Sequence, residues 1–168
     1  MIRFCRRSLF ATVTNAVIVG LSLIATGPIH AQSDQSASTR SLEGAWWVTV
    51  TLYDCTTGAK RPPFTSMLLF SRGGTLSETT ANPGFLPGQR STGFGTWAQA
   101  EGGTYVASDT AFIEFTGGTF QQGTQRLAHS ITLGDADHFS DQAVVQFFNA
   151  SGTLIMQGCA SASAARLR

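Results

Sequence analysis

His129 and Asp141 are the residues whose types and spacing most directly suggest chemistry. His129 interrupts an apolar period-two row of Leu127, Ile131 and Leu133, and Asp141 interrupts a second row of Phe139, Ala143, Val145 and Phe147. A carboxylate beside an imidazole fixes its tautomer and aims its other nitrogen, as a general base or a ligand-orienting group requires. The same pair also serves as a satisfied cross-strand contact that holds register and does no chemistry. Glu114, in the run Phe112-Ile113-Glu114-Phe115, is a second carboxylate. Turned inward beside Phe112 it would meet a polar ligand group; turned outward it is solvated. Trp97 and the row Trp46, Val48, Val50 and Leu52 supply aromatic and branched surface for a pocket wall or for a packed core.

Catalytic signatures that act through fixed spacing do not occur. The chain has no G-x-S-x-G, no P-loop, no H-E-x-x-H and no paired C-x-x-C. A conventional hydrolase is therefore disfavoured, and neither a metal site nor a cofactor is expected. The catalytic candidates reduce to His129 and Asp141, and ligand contact would involve Trp46, Val48, Val50, Trp97, Phe112, Glu114 and His129.

These side chains sit on a succession of short alternating segments. Residues 45–53 place Trp46, Val48, Val50 and Leu52 on one face, predicted inward, and Trp47, Thr49, Thr51 and Tyr53 on the other. Further strands are predicted over residues 64–70, 75–80, 92–100, 104–115, 124–133, 137–149 and 153–161. They are divided by breakers: Pro62-Pro63, Gly73-Gly74, Asn82-Pro83-Gly84, Gly102-Gly103, Gly117-Gly118, Gly134-Asp135 and Ser151-Gly152. The irregular stretch 81–91 is a candidate lid. Eight consecutive antiparallel strands with short turns form an up-and-down meander, and closure into a barrel removes its exposed edges.

The turn after Leu133 decides which side chains meet. A three-residue loop, 134–136, pairs Leu133 with Asp137, Ile131 with Phe139 and His129 with Asp141, so that apolar meets apolar; a four-residue loop buries more polar groups, and the former is expected.

The triplet Gly44-Ala45-Trp46, entering the first of eight predicted strands, resembles the G-x-W signature of the calycin superfamily, which includes lipocalins and avidins. In lipocalins an arginine near the carboxyl end packs across that tryptophan, a role Arg166 would fill. The stretch 134–137 lacks the threonine and tyrosine of the lipocalin Thr-Asp-Tyr turn, and little chain follows the last strand for the usual flanking helix. The resemblance implies an all-β, eight-stranded calycin-like barrel whose cup holds a small, mostly apolar molecule.

Arg3, Arg6 and Arg7, an apolar stretch over 16–25 and the break at Gly27-Pro28 have the layout of a secretory signal peptide ending near Ala31. Residues 32–43 are polar and read as a flexible lead-in, 44–162 as the barrel domain and 163–168 as a tail. Removing 1–31 takes three arginines and no acids, leaving eight basic against ten acidic side chains with no basic cluster. Nucleic acid is thereby an unexpected partner, and no later segment is long and apolar enough to span a membrane as a helix. Cys55 and Cys159, the cysteines of the exported chain, are expected to form one disulfide. The reading is a secreted or periplasmic, non-catalytic barrel binding a small apolar or amphipathic ligand. Its rivals are a barrel-cup isomerase or cyclase using His129 and Asp141, and a filled-barrel protein-interaction or envelope module.

Overall fold

A computed structural model describes residues 41–115 and 122–168. The expected export signal and most of the expected lead-in lie outside the described residues. Eight strands follow one another: β1 Gly44–Tyr53, β2 Phe64–Ser71, β3 Thr75–Thr80, β4 Gly93–Gln99, β5 Thr104–Ile113, β6 Gly123–Leu133, β7 His138–Asn149 and β8 Leu154–Arg166. Each pairs antiparallel with the next and β8 pairs with β1, so the sheet closes as an up-and-down barrel. A single 3-10 turn, Glu101–Gly103, links β4 to β5.

The face assignment of β1 holds. Trp46 and Val48 are buried, Val50 and Leu52 half-buried, while Trp47 on the other face is 49% exposed. The chain reverses between β2 and β3 through Gly73 (φ 91°) and Gly74 (φ 87°), a left-handed pair that side chains bearing a Cβ resist.

Three expectations about the chain's course are revised. First, β8 does not stop near Ser161 but runs to Arg166, because Ala and Ser residues with little hydrophobic signal are held on both sides by backbone pairing: Ser163 lies opposite Thr49 of β1 and Ser140 of β7. This length also places Cys159 opposite Tyr53, so that Cys55, just past the end of β1, reaches it with Cα atoms 5.3 Å apart and a disulfide joins them. Second, the end of the segment expected as a flexible lead-in is packed: Leu42 is fully buried and its carbonyl accepts a hydrogen bond from Trp46 Nε1 at 2.9 Å.

Third, the β6–β7 register differs by two residues. Leu133 pairs with Phe139 and His129 with Ala143, around a wider loop. Asp135 explains it: its Oδ1 accepts from the backbone of Asp137 at 2.7 Å and from His138 Nδ1 at 3.0 Å, while Gly134 N donates to the His138 carbonyl. A shift of two keeps every side chain on its face. His129 and Asp141 still point inward, now as diagonal neighbours.

One end of the barrel is a packed plug. The Trp46 ring meets Phe139 edge-on at 4.9 Å, and Phe70 packs against both Phe139 and Trp97. Arg166 closes this end from outside, its guanidinium 4.1 Å from the Trp46 ring centroid and donating to the carbonyls of Ala136, Glu43 and Ser41. Gly44 makes room for it: its φ is 122°, and a Cβ there would lie 2.6 Å from Arg166 Nη1.

Candidate functional site

Above the plug, the inward positions of neighbouring strands carry polar groups instead of hydrocarbon. β5 supplies Asp109, β6 supplies Gln125 and His129, β7 supplies Asp141, β2 supplies Ser66 and β3 supplies Glu78; all six are buried. Arg90 enters from the 81–92 loop, its side chain only 4% exposed. The segment carrying it extends the sheet beyond β5: Arg90 bridges to Ile113, Ser91 N donates to the Phe112 carbonyl and Glu114 N donates to that of Gln89. The stretch expected to act as a lid is therefore tied to the wall at this point, with Arg90 as an inserted anchor.

His129 is held between two carboxylates. Its Nδ1 donates to Asp141 Oδ2 at 2.7 Å and its Nε2 to Asp109 Oδ1 at 3.1 Å. Burial of the ring works against its charge, but the hydrogen bonds to Asp109 and Asp141, with their negative charges, outweigh it and push the imidazole pKa up to about 10. At neutral pH His129 is an imidazolium with both N–H groups committed. A general base needs an unprotonated nitrogen facing its substrate, and this ring offers none. What the arrangement does is fix a positive charge between two negative ones and tie β5, β6 and β7 together through side chains.

The second charged centre is Arg90. Nη2 lies 2.5 Å from Glu78 Oε2 and 3.9 Å from Asp109 Oδ2, Nε donates to Gln125 Oε1 at 2.5 Å, and Nη1 donates to the Ser91 carbonyl. Burial raises the Glu78 pKa, with the Arg90 charge opposing and the Asp109 charge adding to the rise. Gly93 belongs to this centre, since a Cβ there would fall 2.3 Å from Asp109 Oδ2. Among the described residues no group of three His, Cys, Asp or Glu side chains is placed to hold a metal ion.

The polar layer forms part of the floor of an opening. An inner cavity of about 50 Å³ has a mainly apolar lining, including Val48, Val50, Phe64, Leu68 and Leu127, into which Glu78, Arg90, Gln125 and His129 also face. It shares Leu52 and Asn82 with two wider concavities at the mouth, of about 350 and 490 Å³, where Phe85, Val145, Phe147 and Met156 add apolar surface. Phe147 packs against Phe85 from the 81–92 loop and Phe115 from beyond β5, with centroids 6.4 Å apart in both cases. The inner space has the volume of a small group, and the concavities at the mouth are several-fold larger.

The expected ligand contacts divide accordingly. Val48, Val50 and His129 line the inner cavity. Trp46 and Trp97 belong to the plug, where Trp97 packs against Phe70 and Tyr105 and its Nε1 donates to the Ser71 carbonyl. Phe112 does not face the interior: it is 53% exposed on the outer face, because the buried residues of β5 are Tyr105, Ala107, Asp109, Ala111 and Ile113. Glu114 lies past the end of β5, and its backbone serves as a clamp on Gln89, whose Nε2 donates to the Glu114 carbonyl. Asp109, Glu78, Gln125 and Arg90 were not foreseen. For Asp109 and Gln125 the signal was a polar residue on the inward parity of its strand; for Glu78, on a strand whose facing the sequence leaves open, and for Arg90, in a loop, the sequence carries none.

No family model matches the chain, and no curated protein matches it. Among solved structures, a protein with unknown function from the DUF3598 family of Nostoc punctiforme is similar at 14% identity, covering 75% of this chain and 48% of that one, with a TM-score of 0.35. This chain thus spans about half the length of that protein, and a likeness at this level carries no argument about function.

Proposed function

We propose that the protein is a non-catalytic binder of a small amphipathic molecule, held with its apolar body in the mouth of the barrel and its polar end at the floor beside Gln125 and His129. The observation that carries this reading is the hollow interior: a cavity of about 50 Å³, mainly apolar but with Glu78, Arg90, Gln125 and His129 in its lining, adjoins wider concavities that combine Leu52, Phe85 and Phe147 with polar side chains. Binding sites of this kind combine apolar walls with a few placed polar groups. A barrel filled from end to end would lack the mouth, and a catalyst built on His129 would need a free ring nitrogen. The disulfide supports a secreted or periplasmic setting, and Arg166 stacked over Trp46 supports kinship with the calycins.

Native mass spectrometry of the protein purified without denaturation tests the reading. The expected result is a bound small molecule that dissociates on mild activation, or saturable one-to-one uptake of an added medium-chain alcohol. Absence of both, with the barrel folded, contradicts it.

A further inference from the structure

The two ends of the barrel use their exposed charges differently. At the closed end, Arg72 pairs with Glu43, Arg166 and Arg168 pair with Asp137, and His138 pairs with Asp135. The open end lies where β1, β3, β5 and β7 finish and β2, β4, β6 and β8 begin, so the segments 54–63, 81–92 and 150–153 belong to it. Its exposed cations are Lys60, Arg61 and Arg126, and none is within ion-pair distance of a carboxylate among the described residues. Arg126 lies over the Phe148 ring on the outer wall, whereas Lys60 and Arg61 stand at the rim of the mouth. Of the acids at this end, Asp54 turns Oδ1 onto the backbone N–H groups of Thr56 and Thr57, and Glu114 is half-buried.

Aliphatic side chains project from the same end. Leu86 is 74% exposed, in a segment whose only charged residue is the buried Arg90. β8 begins with Leu154, Ile155 and Met156, which are 45%, 52% and 54% exposed. Consecutive strand residues point to opposite faces, so neither face of this stretch is covered over. The pairing explains it: β8 meets β1 only from Cys159, opposite Tyr53, to Arg166, and before that it is held by β7 alone. The turn that tips this hairpin, 149–153, carries no charge.

We propose that the open end docks on an anionic phospholipid bilayer, with Leu86, Leu154, Ile155 and Met156 entering the interface and Lys60 and Arg61 on the headgroups. Aliphatic groups on projecting tips bury themselves at the boundary between headgroups and acyl chains, and each lysine or arginine behind them is drawn to the negative surface. A second copy meeting this end symmetrically would instead set the same cations against one another. Docking turns the mouth toward the bilayer and is independent of what the cup holds.

Co-sedimentation of the disulfide-linked protein with vesicles tests this, using phosphatidylcholine alone and phosphatidylcholine with phosphatidylglycerol at about one lipid in three. The expected result is binding to the mixed vesicles, about tenfold weaker binding to phosphatidylcholine alone, and release as salt is raised. Lys60→Glu combined with Arg61→Glu should weaken binding about thirtyfold, and Ile155→Glu about tenfold. Trp47→Glu, at a similarly exposed ring on the barrel wall, should leave it unchanged. In the unaltered protein, mixed vesicles should slow amide hydrogen exchange at 84–88 and 152–156 but not at the closed-end turns 72–74 and 134–137. Equal affinity for both vesicles, or equal losses from Trp47→Glu and Ile155→Glu, overturns the proposal. Protection at the closed-end turns overturns it by placing the contact there. Failure to sediment with either composition removes the bilayer as partner. Protection of 152–156 that grows with protein concentration in the absence of vesicles does the same in favour of a second copy. The exchange measurement decides the matter if a variant does not fold.

Discussion

At the closed end Trp46, Phe70 and Phe139 interlock beneath Arg166, whereas further along the same strands the inward positions hold Ser66, Glu78, Asp109, Gln125 and His129 and then open into a mouth. The plug is held by hydrocarbon burial and one cation over one ring. The upper half is held by two charged centres and, at its rim, by the covalent link from Cys55 to Cys159. The contrast shows where interior space comes from. A barrel that packs one half tightly can leave the other half hollow, provided something other than packing closes the rim and pairs the charged groups of the floor.

Four perturbations test that contrast. Replacing both Cys55 and Cys159 by serine is expected to cost the most, about 4–5 kcal/mol in the chain-entropy model for a loop of this length, read as a lower denaturant midpoint. In the plug, Trp46→Ala removes a fully buried ring and should destabilise by about 3–5 kcal/mol, a loss that an equal effect of Phe147→Ala at the mouth would contradict.

In the polar layer, His129→Gln leaves Asp109 and Asp141 facing each other without the intervening cation and should cost about 3 kcal/mol near neutral pH. Its pH dependence is the sharper readout. The folded pKa of His129, about 10, lies above its unfolded value, so the stability it contributes is fully present below about pH 6.5 and is lost as pH rises towards 10. Glu78, also raised, acts in the same direction, its contribution falling away above the ordinary carboxylate range. Denaturation midpoints of the unaltered protein should therefore decline between pH 6.5 and 10, and the decline should be much shallower in His129→Gln. Parallel curves for the two proteins would remove the imidazolium from the account. The smallest effect on stability is expected from Phe147→Ala, about 1 kcal/mol, together with an affinity loss of about fivefold for a medium-chain alcohol.

The strands were legible because each is short, alternates, and is bounded by glycine, proline or asparagine. The inward facing of His129 and Asp141 was legible for the same reason, since period-two parity survives a register slip of two. The register itself was not, because Leu133 finds an apolar partner only when Asp135 organises the wider turn. Ser163 to Arg166 read as a tail because small residues give no hydrophobic signal, although backbone pairing on both sides suffices to hold them. Half of the candidate site stayed hidden for a different reason. Glu78 lies on a strand whose facing the sequence left open, and Arg90 reaches the interior from a loop, through contacts to β3, β5 and β6 that exist only once the barrel has closed.

If the interior is two materials and only the upper one receives a ligand, methyl-resolved NMR during titration with a medium-chain alcohol separates the two halves. Saturable shifts are expected at Val50, Leu52, Leu127 and Val145, which line the cavity, with Leu42 and Ile131 in the plug unmoved. Shifts concentrated at Leu42 and Ile131, or none at any methyl under saturating probe, would contradict it.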